Sequence, residues 1–549
     1  MKKNDLVEIQ IEDMSSEGLG IGHASGMAVF VKDAVIGDRV RAKAVKVKKT
    51  YAYARLEEIL TPGPDRVEPV CPDARRCGGC QIQEMSYPAQ LRLKERKVRE
   101  NLARIGGIDW KEYDTAASRD QVFLPIIGMK EPWHYRNKAQ FPVGEDREGN
   151  LIAGFYAGRT HTIIDNHRCE IGIIENQAVL ETVLSWMKTY GVHPYSEQDG
   201  SGEIRHVCIR AGFSTGELMI VIVAKAEVLK EEQALVSMLL KASDGWLSQG
   251  TLQRGQPADV QESVKRGLQH NMQQRTLPAD VQESAKRERN HNELKRTLQT
   301  DEKPGYRIRS IVLNTNRERT NVILGKQNRI LYGDDFIEDR IGHLTYRISA
   351  GSFYQVNPVQ TEVLYKTALE YAALTGQETV WDLYCGTGTI SLFLAQRARR
   401  VIGIEIVPEA VQNARENARR NHIDNCEFIT GRAEELAGDL PDADVIVVDP
   451  PRKGLDPSLT DTILRVRPER IVYVSCDSAT LARDLAILTK GEYELRKVQP
   501  VDQFCHTVHV ESIALLERVS NRKADAKVHI DVDLEDYYRI KDAQGKDGK

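Results

Sequence analysis

The chain contains no run of about 18 consecutive apolar residues, so no helical membrane span is expected. It also lacks an apolar signal segment, because Met1-Lys2-Lys3-Asn4-Asp5 leads straight into the alternating stretch Leu6–Ile11. Nor does it have the even cysteine count of a secreted disulfide framework. Nine cysteines, four of them grouped like ligands, point to a reducing, cytoplasmic setting. A strong charge of either sign is absent too. The net charge of −4 argues mildly against a nucleic-acid partner, but only local charge matters at a binding face. Between Arg39 and Lys49 stand six basic residues and no acidic one, and Arg92, Lys94, Arg96, Lys97 and Arg99 have only Glu95 against them. Taken alone, each cluster reads as a solvated face.

What is present is a 549-residue chain, 41% hydrophobic and 28% charged, long enough for about three globular domains. Residues 1–60 read as short strands punctuated by Gly18, Gly20, Gly22 and Gly26. Val40, Ala42 and Ala44 alternate there with Arg39, Arg41 and Lys43, giving a strand with one basic face. A small barrel of this kind is either structural or a nucleic-acid platform. The spacing predicts a helix over Leu91–Leu102, then a β-rich region. Within residues 246–304, Pro257-Ala258-Asp259-Val260-Gln261-Glu262-Ser263 recurs as Pro278-Ala279-Asp280-Val281-Gln282-Glu283-Ser284. This polar duplication has too few apolar positions for a core and reads as a flexible insertion.

From Thr379 onward strands and helices alternate, the pattern of a parallel sheet covered by helices. Expected strands are 380–383, 400–405, 444–449 and 470–475. A helix is expected over 408–421, with Ala410, Val411, Ala414 and Ala418 on one face.

Asp382-Leu383-Tyr384-Cys385-Gly386-Thr387-Gly388-Thr389 joins a strand to a helix, and its glycines let backbone approach a ligand. A dinucleotide fingerprint would want a third glycine where Ser391 stands. Glu405 ends the next strand, 19 residues after Gly386, where a carboxylate can accept both ribose hydroxyl hydrogens. Acidic residues in both places suit a cationic sulfonium better than a pyrophosphate. Asp449-Pro450-Pro451-Arg452 forms a rigid turn at the same edge. Cys476 leaves the following strand between Ser475 and Asp477, where a reactive thiol and a small buried hydrophobe are about equally expected. His506–Glu511 alternates, with 507, 509 and 511 on one face. A thiol, a carboxylate and a sulfonium around one base are what methylation of uracil carbon 5 requires.

Taken in order, Ser352-Phe353-Tyr354-Gln355-Val356-Asn357-Pro358, Asp382–Thr389, Asp449–Gly454, Ser475-Cys476-Asp477 and His509-Val510-Glu511 resemble the motifs of bacterial uracil-5 RNA methyltransferases. The 23S ribosomal RNA branch, with its TRAM barrel and iron–sulfur cluster, is the best likeness. It covers nearly the whole chain except the insertion and the end. It implies S-adenosylmethionine as cofactor, with Gln355, Tyr384, Glu405 and Asp449 lining the cofactor and target-base site. Cys476 is then the nucleophile and Glu511 the general base. Asp477 stands where many relatives have Asn, a change expected to be tolerated.

Cys71-x5-Cys77-x2-Cys80, with distant Cys169, supplies four thiolates. Spacing alone leaves zinc and iron–sulfur open, leaning to zinc. The resemblance implies a structural [4Fe–4S] cluster.

The expected architecture is α/β. A TRAM-like, OB-like barrel spans residues 1–60, and a β-rich central domain with the cysteines and the insertion spans 61–345. A Rossmann-like methyltransferase domain follows over 346–520, with a charged extension at 521–549. RNA, 23S rRNA above all, is the expected partner, with the barrel and Arg136-Asn137-Lys138 gripping phosphates. No membrane or obligate protein partner is expected. Methyl transfer to an amino group or a protein is disfavoured, because it needs no cysteine. A non-catalytic RNA-binding factor would not need the intact pair.

Overall fold

The computed structural model describes residues 1–113, 121–158, 160–244, 246, 305–436, 440–490 and 492–519. The duplicated insertion and the charged end from residue 520 lie outside the described residues. Among those described, no helix is long and apolar enough to cross a membrane.

The N-terminal region folds as a six-stranded sheet in the order Leu6–Gln10, Arg39–Val47, Tyr51–Thr61, Met27–Lys32, Gly20–Ala24, Asp13–Met14. Alternation drives it. Val29, Val31, Val40, Ala42 and Ala44 turn inward and are fully buried, closing on Ile9 and Ile11. Gly22 makes the curling possible, since a Cβ there would stand 2.2 Å from the Gln10 carbonyl oxygen. Arg39 and Arg41 do line one face, but their charge is already engaged by Glu8 and Glu58.

The helix Tyr87–Arg104 is longer at both ends than the expected 91–102. Pro88 fits its first turn, where its missing N–H costs nothing. It buries a stripe of Ala89, Gln90, Lys94, Val98 and Leu102.

A seven-stranded sheet follows, in the order Gln327–Gly333, Arg307–Thr315, Glu217–Ala224, Ile204–Ala211, Lys138–Glu145, Leu151–Tyr156, Ile163–Asp165. Only Glu217–Ala224 and Arg307–Thr315 pair in parallel. The helices Glu175–Tyr190 and Glu232–Asp244 share one apolar core with it.

The last sheet also has seven strands: Cys426–Thr430, Arg400–Glu405, Thr379–Leu383, Val445–Val448, Arg470–Ser475, Glu511–Arg518, Tyr493–Val501. The first five run parallel, and Glu511–Arg518 runs against both of its neighbours. Pro358–Ala372, Thr389–Ala395 and Pro408–Arg420 cover one face. Pro457–Val466, Ser478–Leu488 and the helix Tyr87–Arg104 cover the other. This doubly covered parallel sheet is the Rossmann-like arrangement, and its strands carry the continuous apolar runs that double burial demands.

Candidate active site

The turn after Thr379–Leu383 holds three residues at positive φ: Tyr384 (67°), Gly386 (55°) and Gly388 (78°). The two glycines are there for different reasons. A Cβ at Gly388 would press on Phe428 and Ala414 at about 3 Å, so this one is a packing requirement. A Cβ at Gly386 would meet nothing within 4 Å. Its backbone is held by Glu405, which accepts hydrogen bonds from the Gly386 N–H (3.2 Å) and the Val407 N–H (2.9 Å). Ser391, at the place a third glycine would take, donates its hydroxyl to the buried Asp382. The other carboxylate oxygen of Asp382 is buried without a hydrogen-bond partner. Burial, with Asp449 and Glu405 nearby, pushes Asp382 up to about 7. Three carboxylates sharing one buried edge favour a cationic ligand, so the donor set fits a sulfonium.

Cys476 and Glu511 meet through sheet register. Ser475 pairs with Ser512 in the antiparallel pair Arg470–Ser475 and Glu511–Arg518, and one step further brings Cys476 level with Glu511. One strand ends at this edge while the other begins there, so opposite directions deliver both residues to one place. Glu511 is 4% exposed, and burial pushes its carboxyl up to about 8, with Asp449 adding to the effect and Arg452 opposing it. Asp449, one residue past Val445–Val448, is raised by burial to about 7. The Cys476 thiol is raised to about 11 by burial, then by Glu511 and Asp449, while Arg452 lowers it. Arg452 is exposed and forms no ion pair among the described residues, and its charge is felt by both Cys476 and Glu511.

Asp477 caps the next helix, Ser478–Leu488, accepting from the Ala479 and Thr480 N–H groups. Asn would cap equally well, so the cap gives no reason to prefer one residue over the other.

Comparison with known proteins decides the family. Residues 313–519 match the family described as tRNA (Uracil-5-)-methyltransferase, and residues 2–56 match the TRAM domain. An RNA methyltransferase of Halalkalibacterium halodurans is 44% identical over 524 residues, covering 94% of this chain and 98% of that one. One from Clostridium tetani is 39% identical over 527 residues, covering 95% and 98%. This chain belongs to the RNA (uracil-5-)-methyltransferase family. It is a transferase that uses S-adenosylmethionine. The solved Pyrococcus abyssi tRNA (uracil-54, C5)-methyltransferase, crystallised with S-adenosyl-L-homocysteine, shares the fold. Its TM-score is 0.67 at 23% identity, covering 93% of this chain and all of that one.

The methyltransferase holds its Glu511 strand by a network that sequence periodicity did not reveal. Residues 502–510 are not a strand, although 506–511 alternates, and the strand starts at Glu511. Instead Asp502 pairs with Lys94 at 2.5 Å, with both side chains no more than 1% exposed. Lys94 also donates to the Phe504 carbonyl (2.9 Å), and Tyr87 donates to Asp502 (2.8 Å). The Gln90 side chain engages both the backbone N–H and the ring of His506, while Trp133 stacks on that ring at 3.8 Å. Thus Lys94 is structural, not part of a solvated face as the basic run 92–99 suggested. The available signal was the spacing Gln90, Lys94, Val98, four residues apart on the buried stripe. Lys97 likewise donates to the Val508 carbonyl (3.0 Å).

Gln355 is tied to the start of the central sheet through its main chain. Its carbonyl accepts from the Asn137 side chain (2.9 Å), and the neighbouring Asn357 donates to the Gln503 carbonyl (3.1 Å). Asn137 is therefore buried and spent on this link, which removes it from the phosphate-gripping role expected for 136–138.

Cys71, Cys77, Cys80 and Cys169 lie within electrostatic reach of one another. Burial raises Cys80 to about 12 and Cys169 to about 11, and each of these thiols feels Cys71 and Cys77. Among the described residues no three His, Cys, Asp or Glu converge closely enough for a single ion. Gly78 lets the cysteine loop lie on Gly158, whose Cα is 3.1 Å from where a Cβ would stand. Gln81 and Ile82, just after Cys80, donate their N–H groups to the His506 carbonyl and join this loop to the Glu511 segment.

Proposed function

We propose that the methyltransferase acts on carbon 5 of a uridine in 23S rRNA through a covalent adduct between Cys476 and uracil carbon 6. The observation that carries this reading is the register bringing Cys476 level with Glu511, beside Asp449. Carbon 5 of uracil is too weak a nucleophile to be methylated directly, so a thiolate adds to carbon 6 first. S-adenosylmethionine supplies the electrophilic methyl group, and Gln355, Tyr384, Glu405 and Asp449 are the residues that would hold it and the base. Arg452 favours the thiolate of Cys476. After carbon 5 takes the methyl group, Glu511 removes the carbon 5 proton, the carbon 6–sulfur bond breaks and the thiol is released. A carboxyl raised to about 8 is a better proton acceptor, once ionised, than an ordinary glutamate.

The domain division proposed is a barrel at 1–60, a central domain at 61–345, the methyltransferase domain at 346–520 and an extension at 521–549. Cys71, Cys77, Cys80 and Cys169 would hold a structural [4Fe–4S] cluster. What supports this is that the Cys80 and Cys169 thiols, both raised by burial, each feel the charges of Cys71 and Cys77, with three cysteines clustered in sequence and one distant. Cytoplasmic location and independence of an obligate protein partner belong to the same reading.

Two experiments test it. Unmodified 23S rRNA and a tRNA transcript, each offered with labelled S-adenosylmethionine, should differ, with label entering 5-methyluridine of the former. Label in tRNA alone would overturn the rRNA assignment. Protein purified without oxygen should be brown and contain iron and labile sulfide. Stoichiometric zinc in active protein would overturn the cluster.

A further inference from the structure

The turn that carries Asp449 and Arg452 is gripped from the neighbouring helix by one buried carboxylate. Asp484, in the helix Ser478–Leu488, is 1% exposed. One of its oxygens accepts from the Leu455 N–H (2.8 Å) and from the Tyr473 hydroxyl (2.7 Å). The other accepts from the Arg483 guanidinium at 2.8 Å. That guanidinium also donates to the Lys453 carbonyl (3.0 Å) and the Leu455 carbonyl (3.3 Å). Between these two anchored residues the Gly454 N–H donates to the Pro451 carbonyl (2.8 Å) and closes the turn. Gly454 has a φ of 77°, and a Cβ there would stand 2.5 Å from Arg483 and 2.6 Å from Asp484. The pair therefore packs so tightly on the turn that only glycine fits.

Arg452 adjoins this anchored stretch, and on its other side Pro450 and Pro451 stiffen the chain. Its side chain is exposed and has no ion-pair partner among the described residues. Its place is thus set by the backbone on which it stands. The charges felt by Cys476 are Glu511 and Asp449, which raise the thiol, and Arg452, which lowers it. Asp477, beside the thiol, is spent on the helix cap. Lys97 and His509 also lie within reach of Arg452. Arg452 is the cation that offsets the carboxylates, so its placement governs how readily Cys476 ionises.

We propose that Asp484, acting with Arg483, is a positioning residue that clamps the backbone at 453–455 and so holds Arg452 facing Cys476. This rests on Cys476 being the nucleophile. The oxygens of Asp484 are spent on Tyr473, Leu455 and Arg483, so it acts only through the turn.

The test is the rate at which iodoacetamide alkylates Cys476 in the full chain at about pH 8, followed by mass spectrometry of the peptide carrying it. Only the thiolate reacts, so the rate reads its fraction. Arg452→Met should slow alkylation about threefold, as expected for loss of one exposed cation. Asp484→Asn keeps the size but not the charge that holds Arg483, and should slow it to the same degree. The double variant should be no slower than Arg452→Met, because the clamp works through Arg452. A merely structural Asp484 would instead loosen the site and expose the half-buried thiol, speeding alkylation. If Asp484→Asn does not fold, Arg483→Leu, at a half-exposed position, removes both carbonyl bonds and should show the same slowing. A wild-type or faster rate in the folded clamp variant or in Arg452→Met would overturn the proposal, as would slowing that multiplies in the double variant. The assay contains neither RNA nor S-adenosylmethionine. Its failure therefore leaves the nucleophile reading standing, whereas a covalent RNA adduct formed by Cys476→Ala would overturn that reading and leave the alkylation result intact.

Discussion

Two seven-stranded sheets lie in one chain, and only one of them gathers candidate chemistry. In the central sheet almost every pair is antiparallel, so strand ends are divided between two edges. Its buried cations are fully used. Arg205 donates to the Asn316 and Glu318 carbonyls and lies over the Tyr195 ring, and Arg210 donates to the Ala350 and Ser352 carbonyls. In the C-terminal sheet five parallel strands deliver Asp449, Glu405 and Cys476 to one edge. The single reversed strand starts where they end and brings Glu511. There the buried charges lack full partners: Asp382 has an unpartnered oxygen, burial raises Asp449, and Asp449 adds to the rise of Glu511. A buried charge with all its bonds made is architecture, whereas one left short of partners can do chemistry.

Breaking the support of that edge should have the largest effect. Lys94→Met leaves Asp502 buried and uncompensated, with an expected loss of about 3–5 kcal/mol by denaturant unfolding. Lys94→Met with Asp502→Leu should recover much of it, because neither charge is then stranded. In the central sheet, Arg205→Met should cost about 1–3 kcal/mol, from two carbonyls left unbonded, with kcat unchanged.

The pH dependence sharpens the contrast further. Folding raises the Glu511 carboxyl to about 8, so the native state keeps a proton that the unfolded chain, at about 4.3, gives up. That stabilising contribution is complete below about pH 4 and is lost as pH rises through 8. Glu511→Gln, neutral throughout, should melt later than wild type above pH 8 and alike near pH 4. Product release in the wild type should rise about tenfold per pH unit toward 8, as the base ionises. The smallest effect belongs to the helix cap. Asp477→Ala should cost about 1 kcal/mol and Asp477→Asn almost nothing, measured by Tm.

Much of the parallel sheet was legible because doubly buried strands are continuous apolar runs. Arg400–Glu405 and Arg470–Ser475 have the expected bounds, while 444–449 proved to be the shorter Val445–Val448. The glycine turn, Asp449, Cys476 and Glu511 could be found because each adjoins such a run. What surrounds them could not. Lys94 and Asp502 lie 408 residues apart, and no local pattern reports so distant a partner. The pairing of Arg39 and Arg41 with Glu8 and Glu58 is cross-strand and equally invisible to a count of charges. The 502–510 segment alternates like a strand, yet its backbone bonds go to the cysteine loop and the N-terminal helix through Gln81, Ile82 and Gln90.

The central claim is that the thiol and the carboxylate at this edge act in sequence, and denaturing electrophoresis of enzyme mixed with RNA tests it most directly. An ordinary thiol of pKa about 8.5 is only a few per cent thiolate at neutral pH, and in the ligand-free site Cys476 sits higher, at about 11, so adduct formation reports on the site and not on chance reactivity. Addition needs Cys476, whereas release needs the carbon 5 proton to leave. Cys476→Ala should give no denaturant-resistant complex and no methyl transfer. Glu511→Gln should methylate once and accumulate the complex, as wild type should with 5-fluorouridine RNA. A complex formed by Cys476→Ala, or wild-type turnover by Glu511→Gln, would contradict the account.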